Sequence, residues 1–224
     1  TVTAMLISFL FGKLFISYLK KYQVQENIRK DGPETHFKKE GTPTMGGLLI
    51  LVSIIVPSLL WADLTNRYIH LILFVTLWMG ALGFMDDYLK AKRKERKGLV
   101  ARKKFIGQVL LGLILGAALY FYPPDADFST ATDLPFLKSY YLDFGIFYIP
   151  FVILVITGAS NAVNLTDGLD GLAIGLVGIC ALAFAGLCYI TGRIDFSRYL
   201  DIRYLKGAGE LTIFCGAMLG ACLG

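Results

Sequence analysis

The sequence predicts an all-α fold, a polytopic bundle of about seven transmembrane helices. Hydrophobic residues make up 55% of the 224 residues, and the mean hydropathy is +0.60, which is high for a soluble domain. Charged residues still make up 17%, so the charges must be separated from the apolar stretches. Seven apolar runs approach the roughly 20 residues that a helix needs to cross a bilayer. These runs are 1–19, 45–61, 68–85, 105–122, 146–164, 172–191 and 209–224.

The segments between these runs predict one domain and its orientation. No internal repeat or flexible linker divides the chain, so residues 1–224 are predicted to form a single integral membrane domain. Because successive helices cross the membrane in opposite directions, loops 20–44, 86–104 and 165–171 lie on one side of it. These loops hold 15 of the 22 Lys and Arg residues. The loops on the other side, 62–67, 123–145 and 192–208, hold 6. Because Lys and Arg accumulate in cytoplasmic loops, the first set is predicted to be cytoplasmic.

The segment before the second helix has the pattern of an anion site. It reads Lys-Lys-Glu-Gly-Thr-Pro-Thr-Met-Gly-Gly over residues 38–47. Pro43 fixes a backbone dihedral near the helix start, and Thr42 or Thr44 can cap it. Exposed amides at a helix N-terminus favour phosphate, and Lys39 adds positive charge. A capped helix start with glycines for packing is the alternative, but it does not explain the lysines.

Asp86 and Asp87 close the third apolar run. A carboxylate at a helix C-terminus opposes the helix dipole, at a cost of about 0.3 to 1 kcal/mol, so a cation is expected nearby. Adjacent helical residues point about 100° apart, which favours two distinct roles. One of the two would hold Mg²⁺, and the other would handle a proton or the substrate. The alternative is a pair of solvated acids that are neutralised by Lys90 and Lys92.

A basic stretch follows, with nine Lys and Arg residues and the single acid Glu95 between Lys90 and Lys104. Membrane topology and attraction to anionic lipid headgroups explain much of it. Beside two acidic motifs it also favours a phosphate-bearing substrate. Nucleic acid is not predicted as a partner, because the patch lies against a membrane and lacks interleaved aromatic residues for stacking.

Polar residues recur at every third position where the fifth run ends, at Asn161, Asn164, Asp167 and Asp170. On a helix this spacing makes consecutive members neighbours on one surface. Amides and carboxylates match the edges of a nucleobase or a sugar, and carboxylates also suit Mg²⁺. Gly168 and Gly171 would let a ligand approach the backbone. The alternative is a polar turn that joins two helices.

Acids for Mg²⁺, bases for phosphate and capped helix starts on one membrane face indicate phosphoryl transfer between a soluble diphosphate and a lipid phosphate. The strings at residues 39–47, 83–88 and 161–173 resemble, in order and spacing, the bacterial phospho-N-acetylmuramoyl-pentapeptide transferase family. The resemblance implies Mg²⁺-dependent transfer of phospho-MurNAc-pentapeptide from UDP-MurNAc-pentapeptide to undecaprenyl phosphate, giving lipid I and UMP. It also implies a multi-pass protein of the bacterial cytoplasmic membrane with its site on the cytoplasmic face.

The same resemblance assigns roles to residues. Asp86 and Asp87 would be catalytic acids near Mg²⁺, with one of them deprotonating the lipid phosphate or acting as a nucleophile. Uridine would contact Lys39, Gly168 and Asp170. Thr44, Asn164 and Asp167 would face the sugar and phosphate side. Lys90 and Lys94 would lie near the phosphates. The oligomeric state stays open, with a homodimer among the alternatives.

One departure from the family bears on activity. Similar proteins have about ten helices, and the later ones supply a further Mg²⁺-linked Asp and a His cluster. The 224 residues stop before both, so we expect a truncated chain that is inactive alone. Two alternatives stay open: a polyprenyl-phosphate N-acetylglucosamine-1-phosphate transferase with the same acidic motifs, and a membrane transporter or channel. A transporter would place its ionisable residues near the bilayer midplane rather than at helix ends.

Overall fold

The computed structural model describes residues 1–21, 45–92, 98–124, 130–133, 141–168 and 171–224. These residues form eight α-helices, one small hairpin and two 3₁₀ turns. The helices are α1 Val2–Lys21, α2 Gly47–Trp61, α3 Arg67–Lys92, α4 Ala101–Phe121, α5 Tyr148–Thr166, α6 Leu172–Thr191, α7 Ile194–Leu200 and α8 Leu211–Leu223. The strands are β1 Ala131–Asp133 and β2 Tyr141–Asp143, and the 3₁₀ turns are Gly145–Phe147 and Ala208–Glu210.

The described helices form a multi-pass membrane bundle, which confirms the predicted fold class. Five are long and apolar enough to cross a bilayer, with spans Val2–Leu19, Arg67–Lys90, Ala101–Phe121, Gly145–Thr166 and Leu172–Thr191. The helices α2 and α8 are equally apolar but shorter, with 15 and 13 residues. At a rise of 1.5 Å per residue they extend over about 22 and 20 Å, less than the roughly 30 Å of a hydrocarbon core.

Glycines let α4 and α5 pack closely. A Cβ atom added to Gly112 would lie 2.7 Å from Ile153 Cα, and one added to Gly116 would lie 3.1 Å from Ile149 Cα. Lipid chains are as apolar as Leu side chains, so membrane helices associate mainly through close packing and interhelical hydrogen bonds. The two glycines therefore bring the backbones of α4 and α5 into direct contact.

A second packed region lies between α2, α6 and α8. Its buried members are Ile54 of α2 and Phe214, Cys215 and Ala221 of α8, with the partly buried Ala185 of α6 against them. The two apolar helices that are too short to span a bilayer by themselves thus pack against a longer neighbour.

The two membrane faces differ in structure. We call the side where α3 and α5 end and α2, α4 and α6 begin the basic face, and the other side the opposite face. On the opposite face Glu210 accepts a hydrogen bond from the Asp63 N–H over 2.9 Å, and Asn66 donates to the Gly207 carbonyl over 2.9 Å. Arg203 forms a 2.7 Å ion pair with Asp133 of β1. These contacts join the hairpin and α3 to the segment that leads into α8.

Candidate functional site on the basic face

The predicted site residues divide into two groups. The structure describes Asp86, Asp87, Lys90, Asn164, Asp167 and Gly168. The other four, Lys39, Thr44, Lys94 and Asp170, lie outside the described residues. The described group lies at the ends of α3 and α5, which share the basic face.

Asp86 is held by two donors. Its Oδ2 lies 2.9 Å from Nζ of Lys90, one helical turn further along α3. Its Oδ1 accepts a hydrogen bond from the backbone N–H of Leu99 over 2.7 Å. The Asp86 side chain is 17% exposed and that of Lys90 is 37% exposed. Each oxygen therefore has a partner within the protein. The ion pair with Lys90 that the alternative expected is present, but Asp86 is not a solvated acid.

Gly98 allows this contact. Its φ is +58°, in the left-handed region that a residue with a side chain rarely adopts. A Cβ atom there would lie 2.5 Å from Oδ1 of Asp86 and 2.7 Å from Cε of Lys90. The backbone of the segment before α4 can therefore reach the Asp86 carboxylate because residue 98 has no side chain.

Asp87 has different surroundings. It borders a cavity of about 210 Å³ between the start of α2 and the end of α3. The other lining residues are apolar or glycine: Met45, Gly47, Leu48, Leu51, Gly80, Gly83 and Phe84. The two adjacent acids thus face different environments, as the helical angle between them predicts.

The start of α2 differs from the predicted capped form. The helix begins at Gly47, and its N-cap is Gly46, which makes no side-chain cap hydrogen bond. Gly46 rather than Thr42 or Thr44 thus occupies the N-cap position, and both threonines lie outside the described residues. Met45 precedes the cap with a φ of +72°. This unusual backbone lies beside the cavity that Asp87 borders.

Asn161 and Asn164 both contact α4. Nζ of Lys104 donates to Oδ1 of Asn164 over 2.9 Å. One turn deeper, Gln108 is fully buried, and its Oε1 accepts from Nδ2 of Asn161 over 3.1 Å. Nε2 of Gln108 donates to Oγ of Ser160 over 2.8 Å. The asparagines therefore share one side of α5, as their spacing predicts, and that side is fastened to α4.

The helical spacing ends at Asp167. Helix α5 ends at Thr166, and Asp167 is its C-cap, with an exposed side chain. Gly168 has open space where a Cβ atom would be, while Gly171 has a φ of +80° before α6 begins. Asn161 and Asn164 thus lie on the helix and Asp167 lies in the turn after it, while Asp170 is outside the described residues.

The oxygen donors suit a magnesium ion only in part. Among the residues that the structure describes, no group of three or more Asp, Glu, His or Cys side chains is placed to hold a metal. Asp87 and Asp167 offer carboxylates of the kind that Mg²⁺ prefers. Asp86 fits less well, because its oxygens already accept hydrogen bonds from Lys90 and Leu99. The predicted metal roles of Asp86 and Asp87 stay predictions.

The sequence interpretation missed three parts of the site. Gly98 was not singled out, although a glycine in a basic loop that ends at a helix start is a signal for a special backbone position. Lys104 was counted only as one base among nine. Gln108 lies within an apolar run, where an uncharged polar residue indicates an interhelical hydrogen bond.

The regions of this chain that match known protein families include the motifs described above. The model of glycosyl transferase family 4 matches residues 69–224. The phospho-N-acetylmuramoyl-pentapeptide-transferase signature 1 matches residues 39–51. Curated proteins named phospho-N-acetylmuramoyl-pentapeptide-transferase align over the whole chain with 51% identity in Thermodesulfovibrio yellowstonii, 53% in Citrifermentans bemidjiense and 54% in Geobacter sp. strain M21. The chain spans 63%, 62% and 62% of their lengths.

Proposed function

This chain belongs to glycosyl transferase family 4, and on that premise we propose that the whole protein transfers phospho-MurNAc-pentapeptide from UDP-MurNAc-pentapeptide to undecaprenyl phosphate. The products are lipid I and UMP. The observation that carries this proposal is the identity of 51–54% to relatives that bear the transferase name, extending over every residue of the chain. The match of signature 1 to residues 39–51 supports it.

The geometry supports a division of labour among the described residues. Lys90 and Lys104 supply positive charge beside α3 and α5, where the donor's diphosphate would bind. Asp87 borders a cavity whose other walls are apolar or glycine, which suits an acceptor with a phosphate head and a prenyl tail. Asn164 would offer its amide NH₂ group, and Asp167 its carboxylate, to the sugar-phosphate side of the donor.

Magnesium is proposed as the cofactor. When bound, it would neutralise charge on the phosphates and orient them. Asp87 and Asp167 are the described carboxylates that would hold it, and Asp170 is a further candidate from the sequence.

The proposed location is the bacterial cytoplasmic membrane, with the basic face toward the cytoplasm. The supporting observation is the charge bias, since the loops of this face hold 15 of the 22 Lys and Arg residues. A cytoplasmic site would give a soluble nucleotide donor direct access. Fusion of a reporter enzyme to the loop at 123–145 tests the orientation, and cytoplasmic activity of the reporter there would contradict it.

The experiment that tests the function is UMP release by the full-length protein in detergent, with UDP-MurNAc-pentapeptide, undecaprenyl phosphate and Mg²⁺. We expect Asp87→Asn and Asp170→Asn to lower kcat by about 100-fold or more. Full activity of both variants would refute the site. Turnover of UDP-N-acetylglucosamine instead of the pentapeptide donor would favour the related N-acetylglucosamine-1-phosphate transferase.

Residues 1–224 alone are expected to be inactive, because they span only about 62% of the length of relatives such as that from Citrifermentans bemidjiense. Measurable UMP release by this stretch would contradict that expectation. The test also requires that the purified stretch remains helical and monodisperse, which circular dichroism and gel filtration establish.

A further inference from the structure

We infer that the short helix α7 carries a lipid-binding surface on the opposite face, which sits in the headgroup layer and binds an anionic phospholipid through Arg193. The surface consists of exposed side chains between α6 and α8, and we call it the α7 surface. Its members are Arg193, Ile194, Phe196, Tyr199, Leu200 and Ile202. This role is separate from the proposed phosphoryl transfer, because α6 ends on the opposite face and not on the basic face.

The segment that carries α7 begins and ends at the same point of α6. The carbonyl of Thr191, the last residue of α6, accepts a hydrogen bond from the Leu205 N–H over 2.8 Å. Between these two residues, the buried Ser197 donates from its hydroxyl to the Ile190 carbonyl over 3.0 Å. The apolar span of α6 is Leu172–Thr191. Helix α7 is therefore held against the last turn of a membrane-spanning helix, where the hydrocarbon core meets the headgroups.

Large apolar side chains of α7 are exposed, although the helix packs on α6 through Ser197. Tyr199, which lies about 160° around the helix from Ser197, is 87% exposed. Ile194 is 53% exposed, and Phe196 and Leu200 are exposed as well. A cluster of exposed apolar side chains marks an interaction surface. At the end of a membrane span, aromatic and aliphatic side chains are stabilised in the interface between headgroups and acyl chains. The partner indicated by this position is lipid.

Arg193 is positioned to bind an anion within this surface. Its Nη1 donates to the Tyr189 hydroxyl over 2.7 Å. Its Cζ lies 5.2 Å from the centroid of the Tyr189 ring and 5.6 Å from that of the Phe196 ring. Two aromatic rings thus hold the exposed guanidinium in place. A guanidinium has further N–H donors that match phosphate oxygens, and a side chain that is already held loses less conformational entropy when it binds.

The charge of the segment favours an anionic lipid over a zwitterionic one. Residues 192–208 hold four of the six Lys and Arg residues in the loops of the opposite face, together with two acids. Lys and Arg are generally scarce on the side of the membrane that faces away from the cytoplasm, so their concentration beside α7 indicates a local role. Each base near an anionic membrane surface adds to the attraction. Arg193 is the base of this group that the aromatic rings hold.

Photocrosslinking tests whether lipid covers the α7 surface. The full-length protein, with the photoreactive amino acid benzoylphenylalanine in place of Tyr199, is reconstituted in vesicles of phosphatidylglycerol and phosphatidylcholine with identical acyl chains. After irradiation, we expect mass spectrometry to show an adduct with one phospholipid. Because Tyr199 is exposed, its replacement removes little packing. Ile194 is a second probe position, which should give the same adduct.

The control probe replaces Thr65, which is exposed in the connection between α2 and α3 on the same face. The Thr65 N–H and hydroxyl both donate to Asp63, so this connection is a polar turn, and the probe there should give no lipid adduct. Crosslinks from Tyr199 and Ile194 to another part of the chain or to a second copy would overturn the lipid surface, as would the absence of any adduct. Lipid adducts that are as abundant at Thr65 as at Tyr199 would also overturn it, because lipid would then cover the whole face.

The composition of the adduct tests Arg193. With the probe at Tyr199, phosphatidylglycerol should be enriched about fivefold over its share in the vesicle, the factor expected for one base at an anionic surface. Arg193→Gln should return the adduct to the composition of the vesicle. Lys206→Gln is the matched control, because it removes the same charge from an exposed residue beside Gly207, whose carbonyl accepts from Asn66. It should keep the enrichment. Unchanged enrichment in Arg193→Gln, or an equal loss in both variants, would overturn the role of Arg193.

Discussion

Lys104 of α4 and Asn164 of α5 form a hydrogen bond of 2.9 Å across the basic face, from the ammonium group to the amide oxygen. The contact fixes the orientation of the Asn164 amide, because its oxygen points at the lysine and its NH₂ group points elsewhere. It also places a positive charge beside one of the three residues that the family resemblance assigned to the sugar and phosphate side.

Loss of the Lys104 ammonium should weaken donor binding. Lys104→Met keeps most of the side-chain volume but removes the charge and the hydrogen bond to Asn164. We expect the KM for UDP-MurNAc-pentapeptide to rise about tenfold, since a hydrogen bond from a charged donor contributes about 1.5 to 3 kcal/mol. Steady-state kinetics of the full-length protein measure this. Lys103→Met is the matched control, because Lys103 is an exposed neighbour, and an equal effect of both substitutions would contradict a specific role.

Replacement of Gln108 should loosen α4 from α5. Gln108→Leu removes two interhelical hydrogen bonds, to Ser160 and from Asn161. Such bonds contribute about 0.6 kcal/mol each on average within membranes, with a maximum near 1.7. We therefore expect a loss of about 1 to 2 kcal/mol in the free energy of unfolding, measured by denaturation in detergent micelles. An unchanged stability would show that the network is weaker than its geometry suggests.

Adding a methyl group to a helical glycine should destabilise the protein only where the glycine lies at the α4–α5 contact. Gly112→Ala places a Cβ atom 2.7 Å from Ile153 Cα, so we expect about 1 to 3 kcal/mol of destabilisation from overpacking. Gly158→Ala is the control, because nothing lies within 4 Å of the added atom and the residue is helical. There the gain in helix propensity should be neutral or slightly stabilising. Equal thermal stability of the two variants would contradict the close packing.

The hairpin on the opposite face should weaken in acid. The Thr130 hydroxyl and then the Gly145 N–H donate to Asp143, and these bonds hold the pKa of its carboxyl below the ordinary 3.8. A lowered pKa means that the contribution to stability is complete above pH 3.8 and is lost as the pH falls through the folded-state value. Hydrogen exchange of residues 141–145 between pH 5 and pH 2.5 measures this, after correction for intrinsic rates. Asp143→Asn should remove the pH dependence, and its persistence in that variant would assign it to another group.

The membrane helices could be predicted because their signal is local. An apolar run of about 20 residues indicates a spanning helix whatever its neighbours are. Five of the seven predicted runs are confirmed as helices of spanning length, and α2 and α8 are shorter. The short helix α7 and the hairpin were predicted as loops. The hairpin is held by a contact with a distant residue, the ion pair of Asp133 with Arg203, and such a pairing is not visible in a local pattern.

The acidic pair shows where prediction from residues stops. The angle between Asp86 and Asp87 predicted separate roles, but no pattern indicated which of the two would face a cavity. The answer depends on Leu99, whose backbone N–H carries no sequence signal, and on Gly98, which matters only through its conformation. The turn at Asp167 was equally difficult to predict. The helical spacing of Asn161 and Asn164 extends to Asp167 in the sequence, whereas α5 ends at Thr166.

The glycine contact between α4 and α5 has a consequence for how the protein can change shape. Backbones that touch at Gly112 and Gly116, next to the hydrogen bond between Gln108 and Asn161, have little freedom to slide past each other. We therefore expect these two helices to move as one rigid unit when ligands arrive. Any conformational change during turnover would then occur between α2 and α3, at the cavity that Asp87 borders.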